Sequence, residues 1–262
     1  MIRTPLGLRL LPNTSVREQI QEAARLGARG VVIDAVGDLG PDRLTETGRR
    51  ELRHLLRSIE VALIAMHLPT RRSFDTTDQL DDRLRRAARA FTLAYELGTR
   101  LVLARVGAVP DESDAPRREA FLHALTELGR RADHLGVRLA IETGTEPGGT
   151  LRPILDSLEL EGLAASIDPA SLLQRRIDPV ATTRDLGPWV AHAYASDAST
   201  ARPQLLTADP RGLGSTAGGL DWEEYLGALE EIDYRGFLTI WPDPTHPAGP
   251  QFTAMAGRLN RL

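Results

Sequence analysis

Eight short apolar runs, each followed by a helix-like stretch, constrain this chain of 262 residues more than any other feature. The runs fall at 7–11, 30–34, 61–67, 100–106, 137–142, 164–168, 190–196 and 237–241. They are nearly continuous in apolar character, the pattern of strands covered on both faces. Helical patterns occupy 15–26, 43–59, 78–97, 116–135, 150–158, 179–186, 221–232 and 249–262. Gly27, Gly98 and Gly136 each stand where a helix should stop and a strand begin. Asp221 suits an N-cap, with Glu223 and Glu224 favouring the positive end of the helix.

Eight strand-then-helix units in this length predict an α/β fold, a (β/α)8 TIM barrel forming one domain over 1–262. The competitor is an open doubly wound sheet. Its glycine-rich phosphate loop should follow the first strand, but RLLPNTSV contains no glycine. No nucleotide cofactor is therefore expected. The longest expected loop runs over 197–220, between the seventh strand and helix, and long loops of this kind are usually functional.

Composition removes several function classes. With 32 basic and 36 acidic residues the net charge is -4, which disfavours nucleic acid as a partner. There is no cysteine, so neither a thiolate nucleophile nor a zinc-thiolate site can form. Every basic residue is arginine; without lysine, Schiff-base chemistry has no amine. No run is long enough for a signal peptide or a membrane span, so no membrane partner is expected and a cytoplasmic protein is the default.

Four strand ends carry the candidate chemistry: LAIETG, SIDPASLL, VAHAYASD and GFLTIW. With MHLP, and with the stretch GGLDWEEYLGALEEIDYRG before the last strand, they resemble the xylose-isomerase-like superfamily of sugar-phosphate isomerases, epimerases and endonuclease-type barrels. The resemblance implies one divalent metal (Mn, Mg or Zn) held by four strand-end ligands. Glu142 and Asp168 match two of them, while Tyr194 and Trp241 stand at the other two positions. Ser171 and Arg105 stand where many-zinc members have histidines. An incomplete metal site with weak or absent metal binding is thus expected, and an endonuclease is disfavoured. The resemblance also implies a small carbohydrate as the partner, and leaves self-association open.

Each candidate has a functional and a structural reading. Glu142 ends a strand, where this fold keeps its site, though a salt bridge to a neighbouring arginine would serve equally to bury it. Asp168 is a ligand or an Asp-Pro turn, and His67 is an acid/base group or a packed histidine. His192, Tyr194 and Trp241 are substrate contacts or filler. Arg211 in the long loop could hold an anionic group or be solvated, and Arg105 could stabilise the enediolate oxygens in the absence of a metal. Asp243 and His246 are reserve ligands, whereas His54, His123 and His134 lie on helices and carry no assigned chemistry. The leading functional expectation is a sugar or sugar-phosphate isomerase or epimerase. In that reading Glu142, Asp168 and His67 move a proton next to a carbonyl, through an enediolate. The alternative is a non-catalytic or regulatory sugar-binding barrel that has lost its metal.

Overall fold

A computed structural model describes residues 4–11, 15–197 and 219–262. The chain runs β1 (Leu6–Arg9), α1 (Val16–Arg25), β2 (Gly30–Asp34), α2 (Glu46–Ser58), β3 (Ala62–His67), α3 (Leu80–Leu97), β4 (Leu101–Ala104) and α4 (Ala115–His134). It continues through β5 (Arg138–Glu142), α5 (Gly148–Leu158), β6 (Leu163–Ile167), α6 (Pro169–Gln174), α7 (Pro179–Leu186), β7 (Val190–Ala195), α8 (Trp222–Glu231), β8 (Leu238–Ile240) and α9 (Ala248–Leu259). All neighbouring strands pair in parallel, and β1 pairs β8 to close the barrel in chain order. The architecture is the expected (β/α)8 barrel.

Local chemistry sets the helix limits. Ser15, Thr45 and Asp221 each accept a backbone N–H in the first turn of their helices. Gly98 takes φ +91° just past α3, a conformation that favours glycine over any residue with a Cβ. Helix α6 was not expected, because SIDPASLL reads as a strand running into a turn. Asp168 caps it and Pro169 opens it, the N-terminal arrangement that proline favours. Among the described residues no helix is long and apolar enough to cross a membrane.

The larger core lies between strands and helices, and a smaller cluster of Val32, Ala65, Leu103, Ala140, Ala164 and Tyr194 fills the barrel. Ile64 is an extra residue in β3: Val31 pairs Leu63, and Val32 pairs Ala65. Its side chain takes the space left by Gly7 and Gly30; a Cβ on Gly7 would stand 2.3 Å from Ile64 Cδ1. His192 belongs to this interior. It is fully buried, with Nδ1 2.8 Å from Ser166 Oγ and Nε2 2.9 Å from Thr239 Oγ1. Both ring nitrogens are therefore used by neighbouring strands, which corrects the expectation of a substrate contact. Burial, aided by the charges of Arg9 and His67 against an opposing pull from Glu142, pushes this imidazole down to about 3.

Two outcomes follow from this interior. Gly7→Ala should destabilise by about 1–3 kcal/mol through overpacking, and Ile64→Val should relieve part of that cost, because it removes the clashing methyl. Strict additivity of the two changes in urea unfolding would contradict the packing described. The second outcome concerns pH. His192 titrates from an ordinary 6.5 to about 3 on folding. The unfolded chain thus binds the extra proton between these values, and stability falls as pH drops through that window. From pH 7 to 5 this one group should remove about 2 kcal/mol. The decline should be shallower in His192→Asn; equal slopes in both proteins would sink the account.

Candidate active site

Arg9 ends β1 inside the barrel, 3% exposed, and organises the C-terminal mouth. Its Nη2 donates to Asp34 Oδ1 at the end of β2 (2.9 Å) and stands 2.5 Å from His67 Nδ1 at the end of β3. Its Nη1 donates to the Tyr194 hydroxyl (3.0 Å) and lies 3.5 Å from Glu142 Oε1. Tyr194 in turn donates to Glu142 Oε1 at 2.9 Å. The guanidinium carbon lies 3.4 Å from the ring centroid of Trp241, just beyond β8, so the cation stacks on the indole face. His67 Nδ1 also lies 3.1 Å from Asp34 Oδ1, and its Nε2 faces Glu142 Oε2 at 3.3 Å, so the ring stands between the two carboxylates.

A second arginine, Arg105 after β4, bridges to the next carboxylate. Its Nε lies 3.8 Å from Glu142 Oε2 and its Nη2 3.6 Å from Asp168 Oδ2. Arg105 also donates to Ser171 Oγ at 3.0 Å, and Ser171 donates to Asp168 Oδ2 at 2.6 Å. Ser196 donates to the other oxygen of Asp168, at 3.0 Å. The two carboxylates named by the sequence thus meet through Arg105.

Burial alone would raise the Glu142 carboxyl, but His67, Arg9 and Arg105 outweigh it and hold it far below the usual carboxylate range. Burial likewise opposes ionisation of Asp34, and His67 and Arg9 win there too. Tyr194 goes the other way: burial keeps its hydroxyl protonated well above the ordinary range. Glu142 Oε2 is buried and accepts no hydrogen bond; His67 Nε2, at 3.3 Å, is at ion-pair distance but outside hydrogen-bond geometry.

A cavity of about 330 Å³ opens beside Glu142, among the loops that follow β3, β4, β5 and β6. Glu142 and Arg105 are in its wall, and Asp168 stands behind Ser171. His67, Tyr194 and Trp241 belong to the Arg9 cluster and not to that wall. Tyr194 is fully buried beneath Trp241, which corrects the reading of it as a substrate contact. Asp243 and His246 form a turn of their own, where Asp243 accepts from Thr245 N and Oγ1 at 2.8 and 2.7 Å. Arg211 lies outside the described residues. Sequence reasoning missed Arg9 and Asp34. The available signal was a charged residue within an otherwise apolar strand, which demands a partner.

The protein can now be set beside others. The chain matches the family model of the xylose isomerase-like TIM barrel over residues 20–258. No curated protein matches it in sequence. A xylose isomerase domain protein from Planctomyces limnophilus superposes with TM-score 0.79 at 19% identity, covering 98% of this chain and 95% of that one. A D-allulose 3-epimerase from Methylomonas sp., solved with D-allulose, gives TM-score 0.76 at 17% identity, with 99% and 97% covered. The probable 3-DHS dehydratase AsbF of Bacillus anthracis gives 0.70 at 16% identity, with 98% of each chain covered. At these identities the structures share the fold with this chain, and the family follows from the sequence match: the chain belongs to the xylose isomerase-like TIM barrel family.

Proposed function

We propose that this barrel is an isomerase- or epimerase-type enzyme acting on a small polyhydroxylated carbonyl compound, by proton transfer next to the carbonyl. The observation that carries this reading is the buried Glu142 Oε2. It accepts no hydrogen bond, belongs to a residue in the cavity wall, and has His67 Nε2 and Arg105 Nε 3.3 and 3.8 Å away. An acceptor there can take a proton or a hydroxyl hydrogen from a ligand. The adjacent guanidinium and imidazole can meet the negative charge that develops on an enediolate oxygen. Asp168 orients Arg105 through Ser171. The relatives named for sugars and for a dehydratase are consistent with chemistry of this class.

We also propose that guanidinium charge stands in for a divalent metal here. The support is the chemistry of the donors. Arg9 and Arg105 already neutralise Glu142, Asp34 and Asp168. Among the described residues no group of three or more His, Asp or Glu is arranged to hold a metal. A cation entering this cluster would face two positive charges.

One observation favours the second reading, a sugar-binding barrel without turnover. Glu142 is held so far below the usual range that its basicity is poor, whereas a general base works best with a value near the operating pH. Proton exchange separates the two readings. Ketoses, ketose phosphates and keto acids incubated with the protein in deuterated water should incorporate deuterium next to the carbonyl, by NMR, with at least one compound. Glu142→Gln should lower that rate by about 100-fold or more. An undiminished rate in the variant would remove Glu142 from the chemistry; a ligand that binds tightly without any exchange would establish the binding barrel. Metal content gives an independent check. Purified protein should carry substoichiometric Mn and Zn, and its activity should survive a chelator. A tightly held stoichiometric ion would refute the guanidinium proposal.

A further inference from the structure

We infer that the ligand of the cavity beside Glu142 carries an anionic group, a phosphate monoester or a carboxylate, met by the arginines of its wall. The inference rests on the proposed function only in taking this cavity as the substrate site. Four arginines stand in its wall, Arg71 and Arg72 from the loop after β3, Arg105 after β4 and Arg175 after α6. Against them the wall holds one acidic side chain, Glu142. That charge is already met from inside the barrel by Arg9 and His67, and the charge of Asp168 is met by Arg105.

Arg72 is paired with Asp78, both side chains being exposed. Arg71 and Arg175 are exposed; no salt bridge within 4 Å joins either to a described carboxylate, and Arg175 acts on Glu146 only as a weaker electrostatic neighbour. Gln174 adds a buried side-chain nitrogen with no acceptor. The cavity wall therefore has donors and positive charge in excess, facing a small space. A neutral sugar supplies hydroxyls but no charge to answer these guanidinium groups. A phosphate or carboxylate supplies charge and a pair of acceptor oxygens that a guanidinium fork can bind through two parallel hydrogen bonds.

The loops are built to hold this arrangement. Gly107 has φ +106°, and a Cβ there would stand 2.4 Å from Ser73 Cβ. Gly144 has φ +129°, and a Cβ there would stand 2.5 Å from Ser171 Cβ. The two glycines let the loops after β3 and β4, and after β5 and β6, approach closely, which gathers Arg71, Arg105 and Arg175 around one space.

Titration calorimetry tests this with four probes: inorganic phosphate, a hexose 6-phosphate, a hexonate and the neutral hexose. At least one of the two charged sugars should bind about 10-fold or more tightly than the neutral hexose, and added salt should weaken it. Whether phosphate or carboxylate is preferred names the group; inorganic phosphate should compete when the ester binds. Arg71→Gln with Arg175→Gln should reduce affinity for the charged sugar by about 10- to 100-fold. Arg17→Gln with Arg130→Gln, at exposed positions outside the cavity wall, changes net charge equally and should leave affinity unchanged. Equal binding of neutral and charged sugars, or equal loss in both double variants, would overturn the inference. Charged sugars that bind in this way without deuterium exchange would remove the enzyme reading and leave the anion site standing. Exchange on neutral ketoses with no anion preference would do the reverse.

Discussion

A guanidinium buried on the axis of a barrel must have its charge met from the surrounding strands, and Arg9 is met from five of them. Asp34, His67, Glu142, Tyr194 and Trp241 approach it from β2, β3, β5, β7 and the end of β8. Each of these groups depends on the others. Without Arg9, Asp34 would be left facing His67, and Glu142 facing His67 and Arg105. Removing one partner of such a buried pair typically costs about 3–5 kcal/mol, mainly through the stranded charge left behind. The mouth of this barrel is therefore a single electrostatic unit.

That unit sets the character of everything around it. Its arginines press Glu142 toward permanent ionisation. Burial, helped by Arg9, keeps His192, one layer deeper, neutral, and hydroxyls satisfy its ring nitrogens. Tyr194 joins the two layers: its hydroxyl lies between Arg9 and Glu142, and its ring meets the His192 ring edge-on at 4.5 Å. Trp241 covers the cluster, so the open space lies to one side, among the loops after β3 to β6. A cavity offset from the axis and rimmed by arginine is the geometric result.

The fold was legible because periodicity and punctuation agree. Continuous apolar runs with glycine-stopped helices between them leave few alternatives, and all eight strands fall within the expected runs to within a residue or two. The site was legible only in part. Glu142 and Asp168 could be located because each ends an apolar run, and Arg105 because it follows one. Arg9 and Asp34 also sit at strand ends and passed without a role, since one side chain in isolation does not reveal its partner. The resemblance and strand parity together placed Tyr194, and with it His192 on the same face, at the mouth. Parity gives the inward face of β7 but not the depth along it, and depth separates a packed histidine from a ligand.

The sequence by itself determined the number of strand-helix units, the closure they favour, and the presence of carboxylates at the ends of β5 and β6. Those properties are local: apolar pattern, caps and turns act over a few residues. Only the tertiary structure decided that Arg9, 133 positions before Glu142 and 185 before Tyr194, would stand between them. The reason is barrel closure. Pairing β1 with β8 brings the first strand beside the last and turns every inward side chain at one level toward a common axis, where charge must be balanced across the whole ring rather than along the chain.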